Sequence, residues 1–148
     1  MLVAGWKSRR ISSTEEMMAL GEEFAKTLSP GAILLFYGDL GAGKTTFVKG
    51  LAKALCGVET NEVQSPTFTY LNIYEGSVPL YHFDLYRLEN AKQFYALGFE
   101  EYLGGSGVAA IEWAERLGSN LPEGAIQVEI KYINEKIREV SLHQIGSL

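Results

Sequence analysis

An α/β fold is the architecture that the sequence predicts, and one stretch of the chain carries the clearest signal for it. Ala32–Tyr37 is an uninterrupted apolar run of strand length, as expected for a central strand buried on both faces. A glycine-rich turn, Gly38–Gly43, follows it directly. A helix is then expected over Lys44–Cys56, with Gly57 suited to end it. A buried strand, a glycine turn and a helix in this order are typical of an α/β unit.

The segment before this unit predicts an edge strand and an amphipathic helix. Val3–Arg10 is expected to form the short strand. Ser13 begins a capping box, because Glu16 follows it three residues later. The helix that it opens carries apolar residues at a 3.6-residue period, namely Met17, Leu20, Phe24 and Leu28. Ser29-Pro30-Gly31 is expected to end this helix.

The rest of the chain predicts two antiparallel hairpins with a helix and a strand between them. Thr67–Tyr74 and Pro79–Leu85 are strand-like and form the first hairpin. The later elements, in chain order, are a helix over Leu88–Leu97 ended by Gly98, a strand over Val108–Glu112, and a closing hairpin of Ala125–Ile133 with Lys136–His143. Because no linker or internal repeat interrupts this pattern, residues 1–148 are expected to form a single domain.

Composition and charge narrow the class of protein. Hydrophobic residues make up 47% of the chain and charged residues 21%, which is ordinary for a globular domain. The net charge is −5, and no basic run or stripe is visible, so a protein that grips nucleic acid by itself is a poor fit. Any role near RNA is therefore expected to be indirect. The single cysteine, Cys56, excludes a disulfide framework and a metal site built from cysteines.

The sequence shows no signal for membrane insertion or export. No apolar run reaches the length of a membrane span. The first ten residues lack the apolar stretch of a signal peptide. We therefore expect a cytoplasmic protein without a membrane partner.

A phosphate-binding loop is the most specific motif in the chain. Gly38–Thr45 fits the pattern G-x-x-x-x-G-K-[ST] and lies between the buried strand and the helix. The glycines permit backbone angles that let consecutive N–H groups point at phosphate oxygens, and the helix N-terminus favours an anion. Lys44 is expected to reach the β- and γ-phosphates, and the Thr45 hydroxyl to bind Mg²⁺. A chance glycine turn is the alternative, and the strand and helix on either side argue against it.

Two acidic residues follow apolar strands and are candidates for the second metal-side group. Asp84 follows Pro79–Phe83, and Glu112 follows Val108–Ile111. Hydrolysis needs such a carboxylate and a group that orients water. The carboxyl ends of parallel strands converge on the ligand loop, a rule that applies more cleanly to Glu112, since Asp84 is predicted in an antiparallel strand. Either acid fits the role, and each could instead be an exposed carboxylate or a helix cap.

Four neighbouring residues are further candidates for a role in or near the site. Thr67, in the segment Ser65-Pro66-Thr67-Phe68, is a candidate switch residue that senses the γ-phosphate and Mg²⁺, or else simply begins a strand. His82 is expected to be a hydrogen-bonded structural histidine. Arg87 could contact phosphate or form an ion pair. Trp113 is expected in the core, where it would report on a site that includes Glu112.

Taken together, these motifs resemble the TsaE family, the small bacterial ATPases of the tRNA threonylcarbamoyladenosine pathway. The matching segments, in order, are Gly38–Thr46, Ser65–Phe68, His82–Leu88 and Glu112-Trp113. A phosphate loop alone is shared by many families, whereas the S-P-T-F, H-x-D-L-Y-R-L and E-W elements together are specific. Their order and spacing match over nearly the whole chain.

The resemblance implies a fold, a set of site residues and partners. The fold would be a three-layer αβα P-loop NTPase with a mostly parallel sheet and an antiparallel hairpin inserted after the P-loop helix. The nucleotide would contact Asp39, Leu40, Gly41, Ala42, Gly43, Lys44, Thr45 and Thr46, with Ser13 and Thr14 bordering the adenine. Lys44, Thr67, Asp84 and Glu112 would be catalytic, and Thr45, Asp84 and Glu112 would serve Mg²⁺. The partners would be TsaB and TsaD, which carry the tRNA contact, and ATP hydrolysis would be slow until the chain docks on them.

Three other readings fit the sequence less well. A small-molecule kinase needs an arginine-rich lid and a substrate pocket, but the arginines here are few and scattered. A GTPase typically carries an N-K-x-D motif after a strand, and no such tetrapeptide occurs. An interaction module with a degenerate site is disfavoured by the intact set of Lys44, Thr45, Asp84 and Glu112.

Overall fold

The predicted central strand lies in the middle of a seven-stranded sheet, whose order is β1-β7-β6-β2-β5-β4-β3. The computed structural model describes residues 7–38, 43–119 and 121–145. The strands are β1 (Ser8–Ile11), β2 (Ile33–Gly38), β3 (Leu71–Tyr74), β4 (Leu80–Asp84), β5 (Val108–Glu112), β6 (Ile126–Tyr132) and β7 (Arg138–Gln144). The helices are α1 (Thr14–Ala25), α2 (Lys44–Cys56) and α3 (Ala91–Ala96).

The sheet is mixed, with parallel strands at its centre and antiparallel strands at its edges. Strands β6, β2, β5 and β4 run parallel to their neighbours in that series. Strand β3 forms an antiparallel hairpin with β4 after α2, and β7 forms one with β6. Strand β1, from the start of the chain, pairs antiparallel with β7. The expected α/β fold and the inserted hairpin are therefore confirmed, and the parallel part of the sheet is the part that surrounds β2.

Two apolar layers cover the two faces of the sheet, because side chains alternate along each strand. Leu34 and Phe36 of β2 pack in one layer with Phe24 of α1 and Phe47 of α2. The opposite face of β2 packs with α3 and with the short turn Ala114–Leu117. This arrangement gives the three layers that the family resemblance implies.

Several element boundaries differ from the sequence prediction. The edge strand is Ser8–Ile11, and the predicted part before residue 7 lies outside the described residues. Helix α1 ends at Ala25, although Leu28 still packs on the core. Strand β3 begins at Leu71 and not at Thr67, since the preceding residues form a turn.

Helix α3 is shorter than predicted at both ends. It covers Ala91–Ala96, because the side chain of Asn90 caps its first turn by accepting from the Gln93 N–H. Gly98 follows in the left-handed region with φ 77°, as a C-terminal glycine does.

The capping box of α1 forms with one change of partner. The Ser13 hydroxyl oxygen accepts from the Glu16 N–H at 3.0 Å, as predicted. The Glu16 carboxylate accepts from the N–H and the hydroxyl of Ser12, the residue before the cap. Hydrogen bonds from the Ser12 backbone and side chain lower the pKa of Glu16. The start of α1 is thus fixed beside the P-loop helix.

Two glycines bring α1 and α2 into backbone contact. A Cβ at Gly50 would lie 2.1 Å from the Met18 carbonyl oxygen, and one at Gly21 would lie 2.3 Å from the Phe47 carbonyl oxygen. Neither neighbour is a flexible side chain, so the helices would have to separate to admit a methyl group. The close approach sets the distance between the start of α1 and the start of α2.

We expect Gly50→Ala to lower the free energy of unfolding by about 3 kcal/mol, since overpacking against backbone has no easy relief. Urea unfolding measures the loss. Ala54→Gly, at an exposed position of the same helix, is the matched control and is expected to lose about 1 kcal/mol through helix propensity alone. A Gly50→Ala protein as stable as wild type would contradict the proposed role of the glycine contact.

Candidate nucleotide site

The carboxyl ends of three adjacent parallel strands meet beside the start of α2. Strand β2 ends at Gly38, β4 at Asp84 and β5 at Glu112. Asp84 and Glu112 are direct partners in the register of β4 and β5. The sequence prediction placed Asp84 in an antiparallel strand, and this holds only toward β3. Because β4 runs parallel to β5, the strand-end rule applies equally to both acids.

The first turn of α2 brings Lys44 and Thr45 to the same edge of the sheet. The Thr45 hydroxyl lies 3.1 Å from each of the two Glu112 carboxylate oxygens. The Lys44 ammonium donates to the Gly38 carbonyl oxygen at 2.9 Å and lies 4.5 Å from the centre of the Trp113 ring. Lys44 and Glu112 are 4% and 3% exposed, so both charged groups lie in the protein interior. These contacts give each charge a polar or aromatic partner, as buried charges require.

The Asp84 carboxylate is held from the loop before β3. Its Oδ2 accepts from the Ser65 hydroxyl at 2.6 Å and lies 3.5 Å from the Thr67 hydroxyl. Its Oδ1 accepts from the Tyr86 N–H at 2.9 Å. The Ser65 hydroxyl also lies 3.5 Å from Glu112 Oε2, so it bridges the two acids.

Ser65 is therefore a site residue that sequence reasoning missed. The motif S-P-T-F directed attention to Thr67, which lies at the edge of hydrogen-bond distance from Asp84, whereas Ser65 makes the shorter contact. The signal was present, since Ser65 is a second hydroxyl in the same motif. Which hydroxyl faces the acid depends on the turn that precedes β3, and composition alone does not fix that turn.

His82, Arg87 and Trp113 have distinct environments. His82 is fully buried, and its Nε2 is hydrogen-bonded to Glu112 Oε2, so the prediction of a hydrogen-bonded histidine is confirmed. The guanidinium carbon of Arg87 lies 5.0 Å from the centre of the exposed Phe68 ring. Trp113, expected in the core, packs against it but is only half-buried, at the site edge. Its φ of 58° is a left-handed conformation that is rare for a bulky residue.

Two adjoining cavities open at this edge of the sheet. One, of about 430 Å³, extends over Ser13 and Thr14 to the tip of the β6–β7 hairpin; the other, of about 580 Å³, lies over the two acids. Gly43 and Thr46 line both, so they form one cleft. The hairpin residues Glu135, Lys136 and Arg138 line the smaller cavity, and sequence reasoning did not include them. Of the nucleotide-binding residues predicted, Asp39, Leu40, Gly41 and Ala42 lie outside the described residues.

The donor set suits a hard cation that is also bound by phosphate. Thr45, Asp84 and Glu112 offer hydroxyl and carboxylate oxygens, which Mg²⁺ prefers. Within residues 7–38, 43–119 and 121–145, no cluster of three or more His, Cys, Asp or Glu side chains could hold a metal by itself. Mg²⁺ is usually bound by one or two protein groups together with substrate phosphates and waters.

Comparison with known proteins identifies the family. The model of the family described as "Threonylcarbamoyl adenosine biosynthesis protein TsaE" matches residues 11–140. The chain belongs to the TsaE family. It is 41% identical over 143 residues to the tRNA threonylcarbamoyladenosine biosynthesis protein TsaE of Bacillus subtilis, covering 96% of this chain and 86% of the relative. The TsaE of Treponema pallidum is 39% identical over 130 residues, with 88% and 95% covered.

A solved structure supports the fold of this TsaE-family chain. The crystal structure of YdiB from Bacillus subtilis matches with a TM-score of 0.76 at 36% identity, covering 94% of this chain and 85% of that one. The match supports the P-loop NTPase fold expected from the sequence. In the described part of the chain, no helix has the length and apolarity needed to cross a membrane.

We expect Trp113 fluorescence to change when Mg²⁺–ATP binds, because the predicted contact of Lys44 with phosphate would take its ammonium group away from the Trp113 ring and Gly38. The chain has two tryptophans, so Trp6→Phe leaves Trp113 as the only reporter. Titration of this variant with Mg²⁺–ATP measures the change, and calorimetry on the same sample confirms binding. Binding without any change in emission would show that Lys44 stays on the ring.

Proposed function

We propose that this protein is a magnesium-dependent ATPase that acts in threonylcarbamoyladenosine modification of tRNA. One observation carries the ATPase part: the Thr45 hydroxyl lies 3.1 Å from both oxygens of Glu112, with Asp84 beside Glu112 in register. A P-loop threonine facing a strand-end acid is the arrangement that holds Mg²⁺ in P-loop NTPases. The role in tRNA modification is supported by the printed names of the TsaE relatives.

The geometry supports different roles for the two acids. Glu112 faces the Thr45 hydroxyl and would hold Mg²⁺ with it. Asp84 faces Ser65 and Thr67, in the loop where a switch residue would sense the γ-phosphate, and would orient the attacking water. Bound there, Mg²⁺ would neutralise the charge that develops on the phosphate oxygens.

The remaining residues of the cleft would bind and orient the nucleotide. Lys44 would move from Gly38 to the phosphates, and the backbone N–H groups at the start of α2 would stabilise their negative charge. The smaller cavity, lined by Ser13 and Thr14, would take the base and ribose. The hairpin residues Lys136 and Arg138 form the opposite wall and would contribute to this subsite.

The partners of the chain would complete the reaction cycle. The family resemblance implies docking on a TsaB–TsaD pair, which would contact the tRNA. An acidic chain with net charge −5 is suited to such an indirect role. We propose that hydrolysis is slow in the isolated chain, rises on docking and resets the pair between turnovers, in the cytoplasm.

Phosphate release from Mg²⁺–ATP and Mg²⁺–GTP, measured with and without the TsaB–TsaD pair, tests this proposal. We expect faster turnover with ATP than with GTP and a further rise when the pair is added. Turnover that is unaffected by a pair shown to bind would contradict partner activation. The absence of binding would remove the support for a role in tRNA modification.

Substitution of the site residues tests the assignment of roles. Lys44→Ala is expected to weaken ATP binding, whereas Glu112→Gln and Asp84→Asn are expected to lower kcat by on the order of 10²–10³-fold, since each removes several kcal/mol of charge stabilisation. Of these three variants, only Glu112→Gln is expected to raise the Mg²⁺ concentration needed for half-maximal rate.

Glu115→Gln is the matched control, because Glu115 is exposed and lies three residues after Glu112. It is expected to hydrolyse ATP like wild type. If Asp84→Asn alone shifts the Mg²⁺ requirement, the roles of the two acids are reversed.

A further inference from the structure

His82 lies directly beneath the two acids, on the face of the sheet that α2 covers. It is two residues before Asp84 in β4, so strand alternation places both side chains on that face. In the register of β4 and β5, His82 is opposite Ala110, and Asp84 is opposite Glu112. Because Ala110 is small, the imidazole can reach diagonally across the strand pair to Glu112.

The polar contacts of His82 point to the site and nowhere else in the described structure. Its Nε2 is hydrogen-bonded to Glu112 Oε2. A carboxylate oxygen accepts, so Nε2 carries the proton and donates. The other ring nitrogen, Nδ1, is buried without a hydrogen-bond partner among the described residues. Most buried polar atoms have a partner, so a histidine that served packing alone would be disfavoured here.

We propose that His82 is a positioning residue that fixes the Glu112 carboxylate for metal binding, an inference that rests on the proposed function. The Thr45 hydroxyl approaches both Glu112 oxygens from the α2 side, while His82 holds Oε2 from within the sheet. The two contacts together leave Glu112 one orientation, with its oxygens directed at the start of α2. Without the histidine, the carboxylate can rotate away from Thr45.

The expected effect is on turnover and metal requirement more than on nucleotide binding. The phosphates would be bound by Lys44 and the start of α2, whereas the side-chain hydrogen bond of His82 is made to Glu112. Removal of a side chain that orients a metal ligand typically lowers metal affinity or activity by about 10–100-fold. We expect this loss in kcat for His82→Leu, with a higher Mg²⁺ requirement and nearly unchanged KM for ATP.

Two further variants separate positioning from packing. His82→Gln retains an N–H donor near the position of Nε2 and is expected to recover most of the turnover. Leu80→Ala is the matched packing control, since Leu80 is fully buried on the same face of β4. It is expected to lower the melting temperature more than His82→Leu does, while keeping kcat close to wild type.

Nitrogen-15 NMR of the imidazole tests the contact without any nucleotide or turnover. The chain has two histidines, so His143→Gln leaves His82 as the only imidazole signal. We expect a proton on Nε2, whose signal shifts when Glu112→Ala is added. A ring without a proton on Nε2, or a signal that does not change with Glu112→Ala, would overturn the proposal.

ATP hydrolysis and the Mg²⁺ dependence of ATP binding together distinguish a failure of this proposal from a failure of the proposed function. If wild type hydrolyses ATP and His82→Leu does so equally well at the same Mg²⁺ concentration, the positioning role is wrong. If wild type does not hydrolyse ATP even with the TsaB–TsaD pair, the proposed function fails. The Mg²⁺ dependence of ATP binding, read from Trp113 emission in the Trp6→Phe protein with and without His82→Leu, then decides the role of His82 toward the metal, and equal dependence overturns it.

Discussion

The burial of the Glu112 carboxylate is the constraint on which the arrangement of this site depends. The side chain is 3% exposed, and a buried carboxylate is destabilising unless donors surround it. Its donors come from three elements: Thr45 from α2, His82 from β4 and Ser65 from the loop before β3. Helix α2, strand β4 and this loop must therefore meet at the end of β5. The start of α2 and the second acid lie together because they share this meeting point.

The contact between α1 and α2 and the register of β4 with β5 keep that meeting point in place. Gly21 and Gly50 let α1 lie against the backbone of α2, which fixes the start of α2 relative to Ser13 and Thr14. On the sheet, the register of β4 with β5 places Asp84 opposite Glu112. A slip of one residue would turn Asp84 toward the α3 face and out of the cleft. The helix contact and the register thus act on the two ends of the same cleft.

The sequence predicted the parts of this structure that local patterns determine. The apolar run of β2, the P-loop motif and the span of α2 follow from periodicity and glycine placement, and Asp84 and Glu112 were found from their positions after apolar strands. The sequence did not predict that β4 runs parallel to β5, since that pairing joins residues far apart in the chain. The contribution of Ser65, the hairpin residues at the smaller cavity and the diagonal contact of His82 depend on the same long-range register. Side chains that meet only through register leave no local pattern to detect.

Backbone conformation at the edges of the site shows how strongly tertiary contacts overrule local preference. Tyr70 and Trp113 are the non-glycine residues with positive φ in the described chain, at 67° and 58°. Such conformations cost on the order of 1–3 kcal/mol each and persist only where the surroundings hold them. The Tyr70 carbonyl oxygen accepts from the Asp84 N–H at 2.9 Å, and Trp113 follows Glu112 directly. Each strained residue therefore adjoins one of the two acids, and the left-handed turn at Trp113 brings its ring to Lys44. The contacts that hold the acids in place are strong enough to maintain a backbone that neither residue would adopt by itself.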